Sequence, residues 1–162
     1  MVSYRLVISI IVGILFSFFT AFFFNMSYII EQLQLFGNTN ILRIITILIG
    51  ANFEFDIISF FTSTPTVYEL FSAQILATIF IGYLSGTISK GIKRGFIASL
   101  LIIIIDLLIW ILLSVISGED LMSLFQGVQL VSTVGGILSA IMGAIIGGSI
   151  GGLISGPYEE VY

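Results

Sequence analysis

Apolar residues in this chain come in long runs rather than in the short alternations that mark half-buried helices or strands. The first run covers about 6–30 and is interrupted only by small or hydroxylated residues and by Asn25. Others cover about 68–89, 96–116 and 128–155. A bilayer core takes about 20 mostly apolar residues in helical form, and each run reaches that length. The pattern therefore predicts an all-α integral membrane protein, a single membrane domain over residues 1–162 with four transmembrane helices. Residues 31–66 form a long connection between the first two runs, expected to be a partly ordered extracytoplasmic loop. Inside it, Ile41–Ile49 is too short to span and reads as an amphipathic helix lying in the interface. Phe53-Glu54-Phe55-Asp56 alternates apolar and acidic residues, a weak strand signal.

The ends of the runs carry recognisable punctuation. Met1–Arg5 before an apolar stretch resembles the start of a signal peptide. The stretch is longer than a signal peptide's apolar region, and no small-residue cleavage site follows, so the helix is read as retained. Thr64-Pro65 and the capping-box spacing Thr66-x-x-Glu69 offer alternative starts for the second helix. Lys90, Lys93 and Arg94 make a tight basic turn between the second and third runs, and Ser117-Gly118-Glu119-Asp120 an acidic exit after the third. Gly156-Pro157 closes the fourth. With four passes, Arg5, Lys90, Lys93 and Arg94 share one side against Arg43 alone on the other. The excess of basic residues on the inner side predicts a multi-pass protein of the cell membrane with both termini cytoplasmic. The basic turn is read as fixing topology, with a lipid-headgroup site as the sharper alternative.

Composition narrows the function. Hydrophobic residues make up 58% of the chain and charged residues 9%, too few to hydrate a soluble surface. Lys and Arg total 5, which leaves no electrostatic footprint for nucleic acid. The chain contains no Cys and no His. Thiolate chemistry, zinc–sulfur sites and His-based acid–base catalysis are thereby excluded, and neither a metal nor another cofactor is expected. No nucleophile–base pair is legible, and the chain is read as not an enzyme.

The fourth run has the most regular pattern. Gly135, Ser139, Gly143, Gly147 and Gly151 recur every four residues, and Gly136, Ala140, Ala144, Gly148 and Gly152 repeat the step beside them. In lipid no hydrophobic force draws helices together, so association relies on the close backbone approach that small residues allow. The doubled stripe reads either as packing within one bundle or as a glycine zipper with surplus surface for another subunit. Shorter small-residue steps occur at Ser9, Gly13, Ser17 and Ala21, and at Thr78, Gly82 and Gly86.

Asp106 stands in the middle of the third run, the one ionisable residue at membrane depth. An acid there must find a partner or stay protonated. Helical spacing places Gly95, Ser99, Asp106, Trp110 and Ser117 on one arc expected to face the bundle interior. Asp106, Ser99 and Trp110 are thus the candidate ion or proton site, the plainer reading being a hydrogen bond that ties helices together.

A buried acid with glycine-rich helices invites comparison with the proteolipid rotor subunits of ATPases. The long first connection, the lack of an internal repeat and the order of acidic and glycine-rich helices set this chain apart from them. Tetraspan junction proteins would need paired cysteines. The expected function is a small accessory or structural subunit of a membrane complex, with the lipid bilayer and other membrane subunits as partners. The alternative is a homo-oligomeric ion or proton channel or carrier using Asp106.

Overall fold

The computed structural model describes residues 4–24, 26–36, 41–63, 66, 68, 71–118 and 125–157. All regular structure among them is helical: α1 (Tyr4–Phe24), α2 (Met26–Phe36), α3 (Ile41–Gly50), a 3-10 turn (Ala51–Phe53), α4 (Ile57–Thr62), α5 (Ala73–Ser89), α6 (Ile92–Ile116) and α7 (Gly127–Ile154). Three stretches are long and apolar enough to cross a membrane: Ile41–Thr62, Ile92–Ile116 and Gln129–Ile154. Tyr4–Thr20 and Ala73–Ser89 are shorter apolar helices.

Several boundaries differ from the sequence expectation. The first run divides into α1 and α2; the Asn25 between them lies outside the described residues. α5 begins later than its run, because Ser72 supplies the cap, accepting from Ile75 N at 3.4 Å. Of the caps expected there, Thr64-Pro65 and Glu69 lie outside the described residues. The third helix starts earlier, at Ile92, straight after a turn in which Lys90 (φ 54°) and Gly91 (φ 87°) are both left-handed. α7 ends as expected: Gly156 takes φ 77° and donates to Leu153 O, and Pro157 follows.

The strand signal at Phe53–Asp56 gives no strand. Asp56 instead caps α4, its carboxylate accepting from Ile58 N at 2.9 Å and Ser59 N at 3.0 Å. A short acidic side chain that can bond its own downstream backbone favours a helix start over a ladder. Ile41–Ile49 is helical, as expected, and packs one face inward. α3 packs against α1 and α6 and buries Thr46 and Ile49. Gly50 lets it approach so closely that a Cβ there would meet the Trp110 indole nitrogen.

Contacts fix the directions of the long helices. Gly13 faces Ile102, and Ser17, one step of four further on, reaches Asp106, so α1 and α6 run parallel. Gly82 and Gly86 meet Ala144 and Gly148, so α5 and α7 are also parallel. Gly148 meets Ser99 and Gly95 while Gly152 meets Gly91, which makes α6 and α7 antiparallel. The result is an up-down-up-down bundle with α3, the 3-10 turn and α4 wedged in at the end where α1 finishes and α5 begins.

The distribution of residues reverses that of a water-soluble bundle. Ser9, Ser17, Thr78, Ser85, Ser99 and Ser139 are buried, while Ile97, Leu101, Ile104, Leu108, Leu112 and Val115 form an exposed stripe along α6. Most of the buried hydroxyls satisfy themselves on the preceding turn, as Ser9 does on Leu6 O, Thr78 on Ile75 O and Ser139 on Gly136 O. They therefore add little polarity to the interior and allow close packing.

Candidate functional site

Two features of the sequence carried chemistry or assembly, and the structure gives them different surroundings. All ten small residues of the doubled stripe, Gly135 to Gly152, are buried. One ridge serves α5: a Cβ at Gly143 would meet Thr78, at Gly147 the carbonyl of Ile79 and at Gly151 the carbonyl of Tyr83. The neighbouring ridge serves α6 and its leading turn, where Gly148 lies against Ser99 and Gly95, and Gly152 against Gly91. Nearer the start of α7, Gly135 and Gly136 accept the backbone of the wedge, at Asp56 and Phe53. The width of the small-residue face is thus used inside the molecule. Its breadth matches the two helical neighbours of α7, with α5 reaching across both ridges through Gly82 on Ala144 and Gly86 on Gly148.

Asp106 occupies the other side of α6. It is fully buried, and Ser17 on α1 donates to its Oδ1 at 3.0 Å. The Ser17 backbone carbonyl in turn accepts from the Asn52 amide at 3.1 Å. Asn52 belongs to the 3-10 turn and is also fully buried. Only the amide nitrogen can face that carbonyl, so the orientation of Asn52 follows from chemistry. Three residues from three elements therefore form one buried polar chain, Asn52–Ser17–Asp106, joined through the Ser17 carbonyl on one side and its hydroxyl on the other.

The hydroxyl of Ser17 has two acceptors. It lies 2.7 Å from Ile14 O and 3.0 Å from Asp106 Oδ1. A hydroxyl carries one proton, which serves one acceptor at a time. With a neutral Asp106 the acid donates to Ser17 Oγ, and Ser17 donates to Ile14 O. With a carboxylate, Ser17 turns its proton to Asp106. Both protonation states keep a hydrogen bond at the same heavy-atom positions. Asp106 Oδ2 and Asn52 Oδ1 are buried with no hydrogen-bond partner among the described residues.

Of the residues picked from sequence, Ser99 is buried two turns before Asp106 but faces α7, its hydroxyl donating to Phe96 O at 3.0 Å. Trp110 stands one turn after Asp106 and closes over Gly50 and Phe53, with ring centroids 5.6 Å apart. Among the described residues no hydrogen bond joins it to the carboxyl. In sequence Ser17 is one of the small-residue steps of the first run, and the signal for Asn52 is a lone carboxamide just after Gly50 in an apolar stretch. Lys90, Lys93 and Arg94 cluster at the α5–α6 turn beside the end of α7, lining a cleft of about 610 Å³. No group of acidic residues able to hold a metal ion occurs among the described residues. Comparison with known protein families, characterised proteins and solved structures finds no match to this chain.

Proposed function

We propose that this is a four-pass membrane protein in which Asp106 is the proton-binding site of a carrier. The passes are α1, α5, α6 and α7, and α3, the 3-10 turn and α4 form a re-entrant wedge. The alternating helix directions support this count, since the chain leaves α1 and enters α5 at the same end. Non-helical backbone is tolerated at membrane depth where protein buries it, and Ala51, Asn52 and Phe53 are all buried. The excess of basic residues at the other end supports cytoplasmic termini.

The observation that carries the proton reading is the Ser17 hydroxyl poised between Ile14 O and Asp106 Oδ1. Such a hydroxyl lets the acid gain or lose a proton without rebuilding the site. A proton suits the site better than a metal cation, because Asp106 and Ser17 supply too few oxygens for a coordination shell. Opening requires movement of the wedge, whose Asn52 holds the Ser17 turn.

The test is proton uptake into proteoliposomes carrying a pH-sensitive dye and an imposed potential. The wild-type chain is expected to pass protons, and Asp106→Asn to abolish the flux while keeping wild-type helicity. Flux unchanged in Asp106→Asn would remove the reading.

A second reading, a non-catalytic accessory subunit of a membrane complex, draws on an apolar groove lined by Phe24, Leu76, Phe80, Tyr83 and Ile150. Gly147 of the small-residue stripe lines the same groove. Native mass spectrometry after mild extraction separates the two, since an accessory subunit leaves the membrane with other chains at fixed stoichiometry.

A further inference from the structure

We infer that the cleft at the α5–α6 turn is a binding site for one anionic phospholipid. The inference rests on the membrane-spanning reading only to place this end of the bundle at headgroup level; it is independent of any role for Asp106. The cleft, about 610 Å³, is walled by Ile92, Leu153 and Pro157 and rimmed by Lys90, Lys93 and Arg94. Ile92 and Leu153 are 50% and 63% exposed. Apolar walls under a cationic rim match a molecule that is anionic at one end and acyl at the other. A free phosphate would leave the walls wet.

The rim is held in place before anything binds. Lys90 caps α5, its N–H donating to Gly86 O at 3.1 Å, and adopts the left-handed conformation that an L residue rarely takes. Gly91 N donates to Gly152 O at 3.1 Å, which pins the turn to α7. Gly152 is required at that point, since a Cβ there would meet the Gly91 carbonyl. Directly after this turn α6 starts, with no side chain capping its first N–H groups. A 25-residue helix thus opens its positive end on the cleft that Lys90 and Lys93 line. Juxtamembrane lysines attract anionic lipid, each strengthening binding several-fold.

The experiment is native mass spectrometry of the full chain in mild detergent. The protein is titrated with phosphatidylglycerol or with phosphatidylcholine of the same acyl chains. One phosphatidylglycerol is expected to remain bound per chain with a preference of about tenfold or more, estimated from two lysines near the surface. Lys90→Gln/Lys93→Gln should lose that preference while keeping wild-type helicity by circular dichroism. If the double variant does not fold, the exposed Lys93→Gln alone should lower the preference several-fold. Equal retention of the two lipids overturns the inference, and so does an unchanged preference in a folded variant. Displacement of the lipid by millimolar inorganic phosphate would make the cleft a plain anion site and also overturn it. So would retention of phosphatidylglycerol only after removal of residues 158–162, since the acidic tail would then be the natural occupant.

Discussion

The bundle has two kinds of inward face, and they are built on different physics. Where α5, α6 and α7 meet, close contacts are made through backbone: Gly82 and Gly86 of α5 against Ala144 and Gly148 of α7, Gly95 of α6 against Gly148, and Gly152 against Gly91 of the turn. Hydroxyls on that side are bonded to their own helices, as with Ser99 on Phe96 O. Where α6 meets α1 and the wedge, large side chains such as Ile102 and Trp110 fill the space, and Asp106 and Asn52 bond across elements. A seam made of backbone atoms cannot adjust, because no rotamer can move a carbonyl aside. A face made of side chains can. The rigid seam is therefore suited to holding the bundle together, and the adjustable face to any movement that function requires.

Substitutions test this contrast. The largest effect is expected from Gly147→Leu, whose side chain would have to displace the Ile79 carbonyl. Overpacking against backbone should cost about 3 kcal/mol or more, read as loss of cooperative thermal unfolding in detergent. Asn52→Leu comes next, since it removes a buried hydrogen bond that joins the wedge to α1. A loss of about 1–2 kcal/mol is expected, with faster proteolysis inside residues 51–63 as the local signature. Asp106→Asn should change stability by less than about 1 kcal/mol, because a carboxamide is nearly isosteric with the neutral acid and interhelical bonds in lipid are modest. A large drop in melting temperature for this variant would mean that the acid is mainly structural. A comparably small effect is expected for Gly13→Ala. Its Cβ would meet Cδ1 and Cγ1 of Ile102, side-chain atoms that a rotamer change can move aside where a carbonyl cannot, so the change should stay at about 1 kcal/mol. If Gly13→Ala proved as damaging as Gly147→Ala, the distinction between the two faces would fail.

Much of the fold was legible in particular residues. The runs ending at Ser89, Ile116 and Ile154 were placed within a residue or so of the helix ends, because long apolar segments have one low-energy form in lipid. The Gly156-Pro157 stop was legible for a local reason, the left-handed glycine. Boundaries that depended on competing local signals were not. Ser72 rather than Thr66 caps α5, and Asp56 starts a helix where alternation pointed to a strand.

The sequence by itself determined that the protein is helical and apolar, that α7 carries a small-residue face, and that Asp106 is its one acid deep within an apolar run. Those properties are local: composition, period and helical register follow from neighbours along the chain. Only the tertiary structure decided that the glycine ridges pack against α5 and α6, because a helix's neighbours are set by the arrangement of the whole bundle. Only it brought Asn52 and Ser17 to Asp106, joining residues 35 and 89 positions apart in the chain. The physical reason is shared. A partner across a bundle is chosen by packing of whole elements, and no pattern within one element records it.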